Sequence, residues 1–217
     1  MFKKILYLHG IGSTGGGNTV EMLKNKFPES EIVSPELPTS PKKAFEYIEE
    51  LRHNETYDDR FNMIIGTSLG GFYAMMTSGI PKILINPAMF ASTDIPKAIG
   101  YGEHPYLRER IDGEKTYTID DKYVDELKEL EDRYFNYWKD DEYVYETRAI
   151  FGTEDNIVSH IWDFKKLFDE SKMITAPFGH RMTPEIFNTV LVPFMEKIYN
   201  EVIDNIKSGI PLNFLNY

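Results

Sequence analysis

Short apolar runs alternate with amphipathic segments along most of the chain. Apolar runs predict buried strands, whereas apolar residues spaced three and four apart predict helices. The predicted strands are residues 4–8, 31–34, 61–65, 82–85, 148–152 and 173–176, and the predicted helices are residues 18–27, 42–53, 68–78, 161–168 and 184–207, the last with a bend at Pro193. Strands that alternate with helices predict an α/β fold, a three-layer sandwich with a mostly parallel central sheet.

The alternation stops at about residues 92–147. Residues 103–147 contain 15 acidic and 7 basic side chains, so this part carries −8 of the net charge of −11, and it is rich in aromatic residues. Its apolar positions follow a helical spacing, which predicts amphipathic helices with a solvated acidic face. We expect one domain over residues 1–217, because 217 residues suffice for a single core, with a helical cap insertion at about 92–147.

The most informative motif lies where the strand at 61–65 meets the helix at 68–78. Gly66, Ser68 and Gly70 form Gly-x-Ser-x-Gly, the pattern of a nucleophile elbow, in which a sharp strand-to-helix turn exposes the serine oxygen. The backbone packs tightly on both sides of such a serine, and this requires the glycines. The Leu69 N–H lies at a helix N-terminus, where it can stabilise an oxyanion. The motif therefore predicts Ser68 as a nucleophile and Leu69 as a backbone oxyanion donor.

A glycine-rich loop follows the first strand and allows two interpretations. Gly10, Gly12 and Gly15 match Gly-x-Gly-x-x-Gly between a strand and a helix, the context of a dinucleotide fingerprint, with Glu36 as the acid for the ribose. Alternatively, the loop closes the first core strand of a hydrolase and offers the Ile11 N–H as the second oxyanion donor. A phosphate-binding P-loop fits poorly, because position 18, where its lysine would be needed, is asparagine.

Two further residues complete a possible catalytic set. Asp155 follows the strand at 148–152, and His180 follows the strand at 173–176. The carboxyl ends of parallel strands share one edge of the sheet, and the order Ser, Asp, His is the one expected for this type of hydrolase triad. His180 would take the Ser68 proton, and Asp155 would orient the imidazole. Glu154 and Asp94 remain alternative acids, while the other histidines have no comparable setting.

Three stretches of the chain resemble a known family. They are residues 6–13, Leu-Tyr-Leu-His-Gly-Ile-Gly-Ser, residues 66–74 around the elbow, and residues 84–88, Leu-Ile-Asn-Pro-Ala. Together they resemble the small bacterial YqiA-like serine esterases of the α/β-hydrolase superfamily. The resemblance implies the α/β-hydrolase fold and a serine esterase or thioesterase with the triad Ser68, Asp155 and His180 and oxyanion donors at Leu69 and Ile11.

We therefore expect a carboxylic ester hydrolase that forms an acyl-enzyme on Ser68 and cleaves a small ester or thioester without a cofactor. Three alternatives remain: a nucleotide-binding oxidoreductase that uses Gly10, Gly12 and Gly15, a noncatalytic binding protein with the same fold, and a peptidase with the same triad. The net charge of −11 argues against nucleic acid as a partner. The chain has no cysteine, no metal-ligand spacing and no run long enough to span a membrane, so we expect a cytoplasmic protein, and a homo-oligomer remains open.

Overall fold

Six parallel strands form the central sheet of the protein. The computed structural model describes residues 2–53, 59–134 and 146–207. Its strands are β1 (Lys4–Leu8), β2 (Glu31–Val33), β3 (Met63–Thr67), β4 (Lys82–Ile85), β7 (Thr147–Gly152) and β8 (Met173–Ala176). They lie in the sheet in the order β2-β1-β3-β4-β7-β8. All five pairings are parallel. The expected mostly parallel sheet is confirmed.

Helices connect the strands and cover both faces of the sheet. They are α1 (Asn18–Lys26), α2 (Pro41–His53), α3 (Leu69–Met75), α4 (Ala91–Ile99), α5 (Asp121–Tyr134), α6 (Ile161–Leu167), α7 (Pro184–Ile186) and α8 (Val192–Lys207). Each predicted helix is present with bounds shifted by a few residues. The last helix reaches residue 207, which is both its predicted bound and the last described residue.

Alternate residues of each strand face opposite apolar cores. In β1, Leu6 and Leu8 pack with α2, α3 and α5, whereas Ile5 and Tyr7 pack with α1 and α8. This alternation follows from the pleat of a strand, which directs successive side chains to opposite faces. Because both faces are covered, the strands consist of nearly continuous apolar runs, which made them easy to predict.

The segment between β4 and β7 contains strands as well as helices. After α4 the chain forms an antiparallel pair, β5 (Gly102–Pro105) and β6 (Thr116–Ile119), before α5 begins. The helices α4 and α5 lie in this segment, whereas the strand pair was not predicted, and the assignment of the segment as a cap stays a prediction. Residues 135–145 of the expected cap lie outside the described residues.

The last helical segment is interrupted before Pro193. A π-helical stretch, Phe187–Leu191, separates α7 from α8. Proline lacks the N–H that an α-helix needs and its ring clashes with the preceding turn, so a local change of hydrogen bonding is expected close to it. Within the described residues, no helix combines the length and the apolar character needed to cross a membrane.

Candidate active site

Ser68 lies in a strained turn between β3 and α3. Its backbone has φ 54° and ψ −118°, and the residue is 4% exposed. Non-glycine residues rarely adopt positive φ, and such strain occurs preferentially at functional sites. A Cβ at Gly66 would lie 2.3 Å from the Gly70 carbonyl oxygen, and one at Gly70 would lie 2.0 Å from the Leu8 oxygen. The two glycines therefore allow the close packing that holds this turn.

Two backbone N–H groups near Ser68 lack partners within the described part of the chain. They belong to Leu69, the first residue of α3, and to Ile11, in the loop after β1. Gly10 brings this loop close to the elbow, because a Cβ at Gly10 would lie 3.2 Å from Ser68 Cβ and 3.8 Å from its Oγ. Unpaired N–H donors beside a nucleophile are the components of an oxyanion hole.

Asp155 and His180 are joined by a hydrogen bond at the adjoining end of the sheet. His180 Nδ1 lies 2.7 Å from Asp155 Oδ2, and the aspartate side chain is fully buried. The other carboxylate oxygen accepts the N–H groups of Ile157 at 2.8 Å and Val158 at 3.1 Å. Burial raises the pKa of Asp155, but the hydrogen bond from His180 and the two backbone bonds outweigh it and leave the pKa lowered. The ionised carboxylate thus keeps the proton on Nδ1, which leaves Nε2 free to accept one.

The structure brings two of the three predicted triad residues into direct contact. Within residues 2–53, 59–134 and 146–207, no hydrogen bond joins Ser68 Oγ to the His180 ring. Catalytic hydrogen bonds are often long without substrate and tighten in the reacting complex, so this geometry leaves Ser68 a candidate. Ser68 follows β3 and His180 follows β8, at the same edge of the sheet. Strand β8 is the third strand from β3 in the sheet order.

Asn86 bridges the loops that carry these residues. It follows β4, is 1% exposed and has φ 43°. Its Oδ1 accepts the Gly152 N–H at 2.7 Å, and its Nδ2 donates to the Gly179 oxygen at 3.0 Å. Two residues on, the Ala88 N–H donates to the Ser68 carbonyl at 3.1 Å. The sequence placed Asn86 in a family motif but gave it no role, because the residues that it contacts lie more than 60 positions away.

The alternative acids have other surroundings. Glu154 is exposed, whereas Asp94 lies in α4 and binds His160, with Asp94 Oδ2 2.8 Å from Nε2. Asp163 Oδ2 lies 3.0 Å from the Nδ1 of the same ring. Burial lowers the pKa of His160. The hydrogen bonds to Asp94 and Asp163 raise the pKa by a larger amount, so the net effect is a raised pKa. This histidine therefore has a carboxylate at each nitrogen, a setting that the sequence analysis did not anticipate.

One glycine of the glycine-rich loop packs closely against the backbone that follows β2. A Cβ at Gly15 would lie 2.3 Å from the Ser34 carbonyl oxygen, so this glycine serves close packing of backbone. Glu36, the expected ribose acid, lies 3.3 Å from the Arg110 guanidinium. The described residues also contain no group of three or more His, Asp or Glu side chains that could hold a metal ion.

His9 fixes the loop that carries Ile11. Its Nδ1 donates to the Gly10 oxygen at 2.9 Å, and its Nε2 accepts the Leu37 N–H at 3.4 Å. These bonds need the neutral ring with its proton on Nδ1. Burial lowers the pKa of His9, which is consistent with that neutral form. The oxyanion candidate at Ile11 is therefore held by a histidine that acts as a structural residue.

A family comparison identifies the chain. The model of the uncharacterised protein family UPF0227 matches residues 4–181, a range that includes all the candidate residues above. The chain belongs to this family. The resemblance noted from the sequence is thereby confirmed. A UPF0227 protein from Shewanella sediminis (strain HAW-EB3) is 34% identical over 89 residues, which cover 38% of this chain and span only half the length of that relative.

Solved structures show the same fold at low sequence identity. Est1E from Butyrivibrio proteoclasticus has a TM-score of 0.58 at 15% identity, with 94% of this chain and 88% of that one covered. Alpha/beta hydrolase domain-containing protein 10 from mouse has a TM-score of 0.63 at 12% identity, with 92% and 90% covered. The Paleococcus ferrophilus monoacylglycerol lipase has a TM-score of 0.55 at 14% identity, with 93% and 94% covered. The fold is therefore the α/β-hydrolase fold.

Proposed function

We propose that this UPF0227 protein is a serine hydrolase that cleaves carboxylic esters or thioesters. The observation that carries the proposal is the 2.7 Å bond between His180 Nδ1 and Asp155, at the sheet edge where Ser68 occupies a strained elbow. A buried carboxylate that orients an imidazole at the same sheet edge as a serine is the arrangement that activates a hydroxyl for acyl transfer.

The chemistry follows from the roles of these groups. Nε2 of His180 takes the Ser68 proton as Oγ attacks the acyl carbon, and the carbonyl oxygen becomes an oxyanion. The N–H groups of Leu69 and Ile11 stabilise that oxyanion. His180 then returns the proton to the departing alcohol or thiol, and an acyl-enzyme remains on Ser68. Water, deprotonated by His180, releases the acid and restores the serine.

Names of structural neighbours add limited support. Est1E and the Paleococcus lipase carry names of ester hydrolases, but at 14 to 15% identity the likeness concerns the fold. The proposed activity therefore depends on the site. The ion pair of Glu36, the expected ribose acid, with Arg110 counts against the nucleotide-binding alternative.

Labelling with a fluorophosphonate probe tests the proposal. We expect the wild type to gain one adduct on Ser68, located by mass spectrometry, and Ser68→Ala to gain none. Ser171→Ala removes an exposed hydroxyl outside the site and should label like the wild type. A folded wild-type protein that remains unlabelled and hydrolyses no ester would refute the proposal and favour the noncatalytic alternative.

A further inference from the structure

A narrow cavity lies beside the two oxyanion candidates. Its walls include Ile11 and Leu69, together with tyrosines from α3, β6 and α5, and its volume is about 30 Å³. A water-sized group needs roughly 10–15 Å³ measured in this way, so the cavity admits two or three water-sized groups without rearrangement.

The position of the cavity determines which part of an ester it faces. The oxyanion donors hold the carbonyl oxygen of the acyl group, so a cavity with walls formed by both donor residues lies next to that group. The leaving alcohol must instead lie beside His180, which protonates it. Neither His180 nor Asp155 forms part of the cavity wall, and Ser68 adjoins it through its chain neighbour Leu69. The cavity therefore faces the acyl side of the substrate.

Three tyrosines of the cavity wall have hydroxyls without partners among the described residues. Tyr73, Tyr117 and Tyr123 are 1%, 7% and 6% exposed, and none of their hydroxyls forms a hydrogen bond with another described residue. Each hydroxyl oxygen nevertheless keeps some accessible surface. A Cβ at Gly12 would lie 2.9 Å from the Tyr117 oxygen, which places that hydroxyl against the loop of Ile11. Polar groups in a protein interior normally pair with protein or water, so three hydroxyls that lack protein partners at one cavity are available to a polar ligand.

The surroundings favour a neutral ligand group, because a charge inside a cavity costs free energy unless it finds a partner of opposite charge. The Arg110 guanidinium stacks 4.6 Å from the Tyr106 ring in the same wall and is already paired with Asp112 and Glu36, so it is not available to a carboxylate. The described residues of the wall include no Asp or Glu that could pair with an ammonium group. Burial raises the pKa of all three tyrosines, which therefore keep their protons at neutral pH and can both donate and accept.

We propose that this cavity binds the acyl group of the substrate, and that this group is short, uncharged and carries a hydroxyl that pairs with the hydroxyls of Tyr73, Tyr117 and Tyr123. The inference rests on the proposed hydrolase function and names its substrate class. A site built to pair with a substrate hydroxyl discriminates against an analogue that lacks it, because the buried polar groups then stay unpaired.

Matched esters test the inference with the full-length protein. Methyl lactate is compared with methyl 2-methylpropanoate, and methyl 3-hydroxybutanoate with methyl 3-methylbutanoate, by titration of the released acid. In each pair a methyl group replaces the hydroxyl. We expect kcat/KM to favour the hydroxylated ester of at least one pair by about tenfold or more, after correction for the rates of alkaline hydrolysis. Methyl 3-aminobutanoate should be a poor substrate.

Phenylalanine variants assign the preference to the tyrosines. Tyr73→Phe, Tyr117→Phe and Tyr123→Phe should each reduce the ratio of kcat/KM for the hydroxylated ester to kcat/KM for the methyl-substituted ester several-fold. Tyr199→Phe, in α8 against Phe2 on the other face of the sheet, should leave the ratio unchanged. The inference is overturned if the wild type prefers neither hydroxylated ester, if it prefers the amine, or if no phenylalanine variant changes the ratio. When Ser68 is labelled by the probe, these outcomes leave the proposed hydrolase function intact.

Discussion

The side-chain oxygen of Asn86 accepts a 2.7 Å hydrogen bond from the N–H of Gly152, three residues before Asp155. The amide nitrogen of the same side chain donates to the Gly179 oxygen at 3.0 Å, directly before His180. One buried amide thus connects the loops of the acid and the base. Backbone contacts from the neighbouring Ala88 continue this connection to Ser68.

Replacement of Asn86 should therefore reduce both stability and turnover. In Asn86→Ala, two buried backbone groups lose their partner and alanine must adopt φ 43°, so we expect the free energy of unfolding to fall by about 2–4 kcal/mol and kcat to fall as well. Urea unfolding and steady-state kinetics measure these effects. Asn86→Gly separates the backbone strain from the loss of the hydrogen bonds, because glycine adopts φ 43° without strain but, like alanine, lacks the side-chain amide. Unchanged kcat in a folded Asn86→Gly would show that the amide has no influence on the site.

Asp155→Asn should inactivate the protein while the fold is kept. The amide cannot hold the His180 proton on Nδ1 as a carboxylate does. Loss of this orientation lowers kcat by a factor on the order of 10³ to 10⁴ in triad hydrolases. Ester hydrolysis and circular dichroism would measure the two properties. Glu154→Gln, which changes the exposed neighbour, is the control and should retain activity. A larger loss in that control than in Asp155→Asn would assign the acid to Glu154.

Alanine at Gly70 should prevent the elbow from packing. The new Cβ would lie 2.0 Å from the Leu8 oxygen, so β1 and α3 would have to separate. We expect a large drop in melting temperature or loss of soluble protein. Gly16→Ala is the matched change, because no heavy atom lies within 4 Å of its Cβ position, and it should be nearly neutral in thermal unfolding. Equal melting temperatures for the two variants would contradict the packing described for the elbow.

His160 should make stability depend on pH. Its folded-state pKa is raised by Asp94 and Asp163 above the ordinary value of 6.5. The protonated ring therefore stabilises the fold fully below about pH 6.5, and this contribution is lost as the pH rises through the higher folded-state pKa. Relative to the wild type, His160→Gln should lower the melting temperature more at pH 5.5 than at pH 8.5. His53→Gln, at an exposed histidine, is the control, and an equal loss at both pH values in His160→Gln would contradict the prediction.

The sheet and the candidate triad could be predicted because their signals are local. The strand Met173–Ala176 was predicted with its observed bounds, since it is a short apolar run that ends before Pro177. Ser68, Asp155 and His180 were found by the same logic: each follows a strand that could be recognised from its own residues. Parallel pairing then brings these strand ends to one edge.

Features that depend on distant contacts could not be predicted in this way. The hydrogen bond between His160 and Asp94 joins residues 66 positions apart, and neither neighbourhood differs from an ordinary surface segment. The strands β5 and β6 are four residues each, and the charged connection between them has no short turn signal. Tyr117 and Ile119 alternate with threonines in β6, and this two-residue period was the available signal.

Strands β4 and β7 are neighbours in the sheet although about 60 residues separate them in the chain. The sheet can therefore close across this gap with little dependence on the length or composition of the intervening segment. Relatives could exchange the tyrosines of β6 and α5, and with them the acyl preference that we propose, while the strand ends that carry Ser68, Asp155 and His180 stay in place. Substrate range and catalytic machinery would then diverge independently within this family.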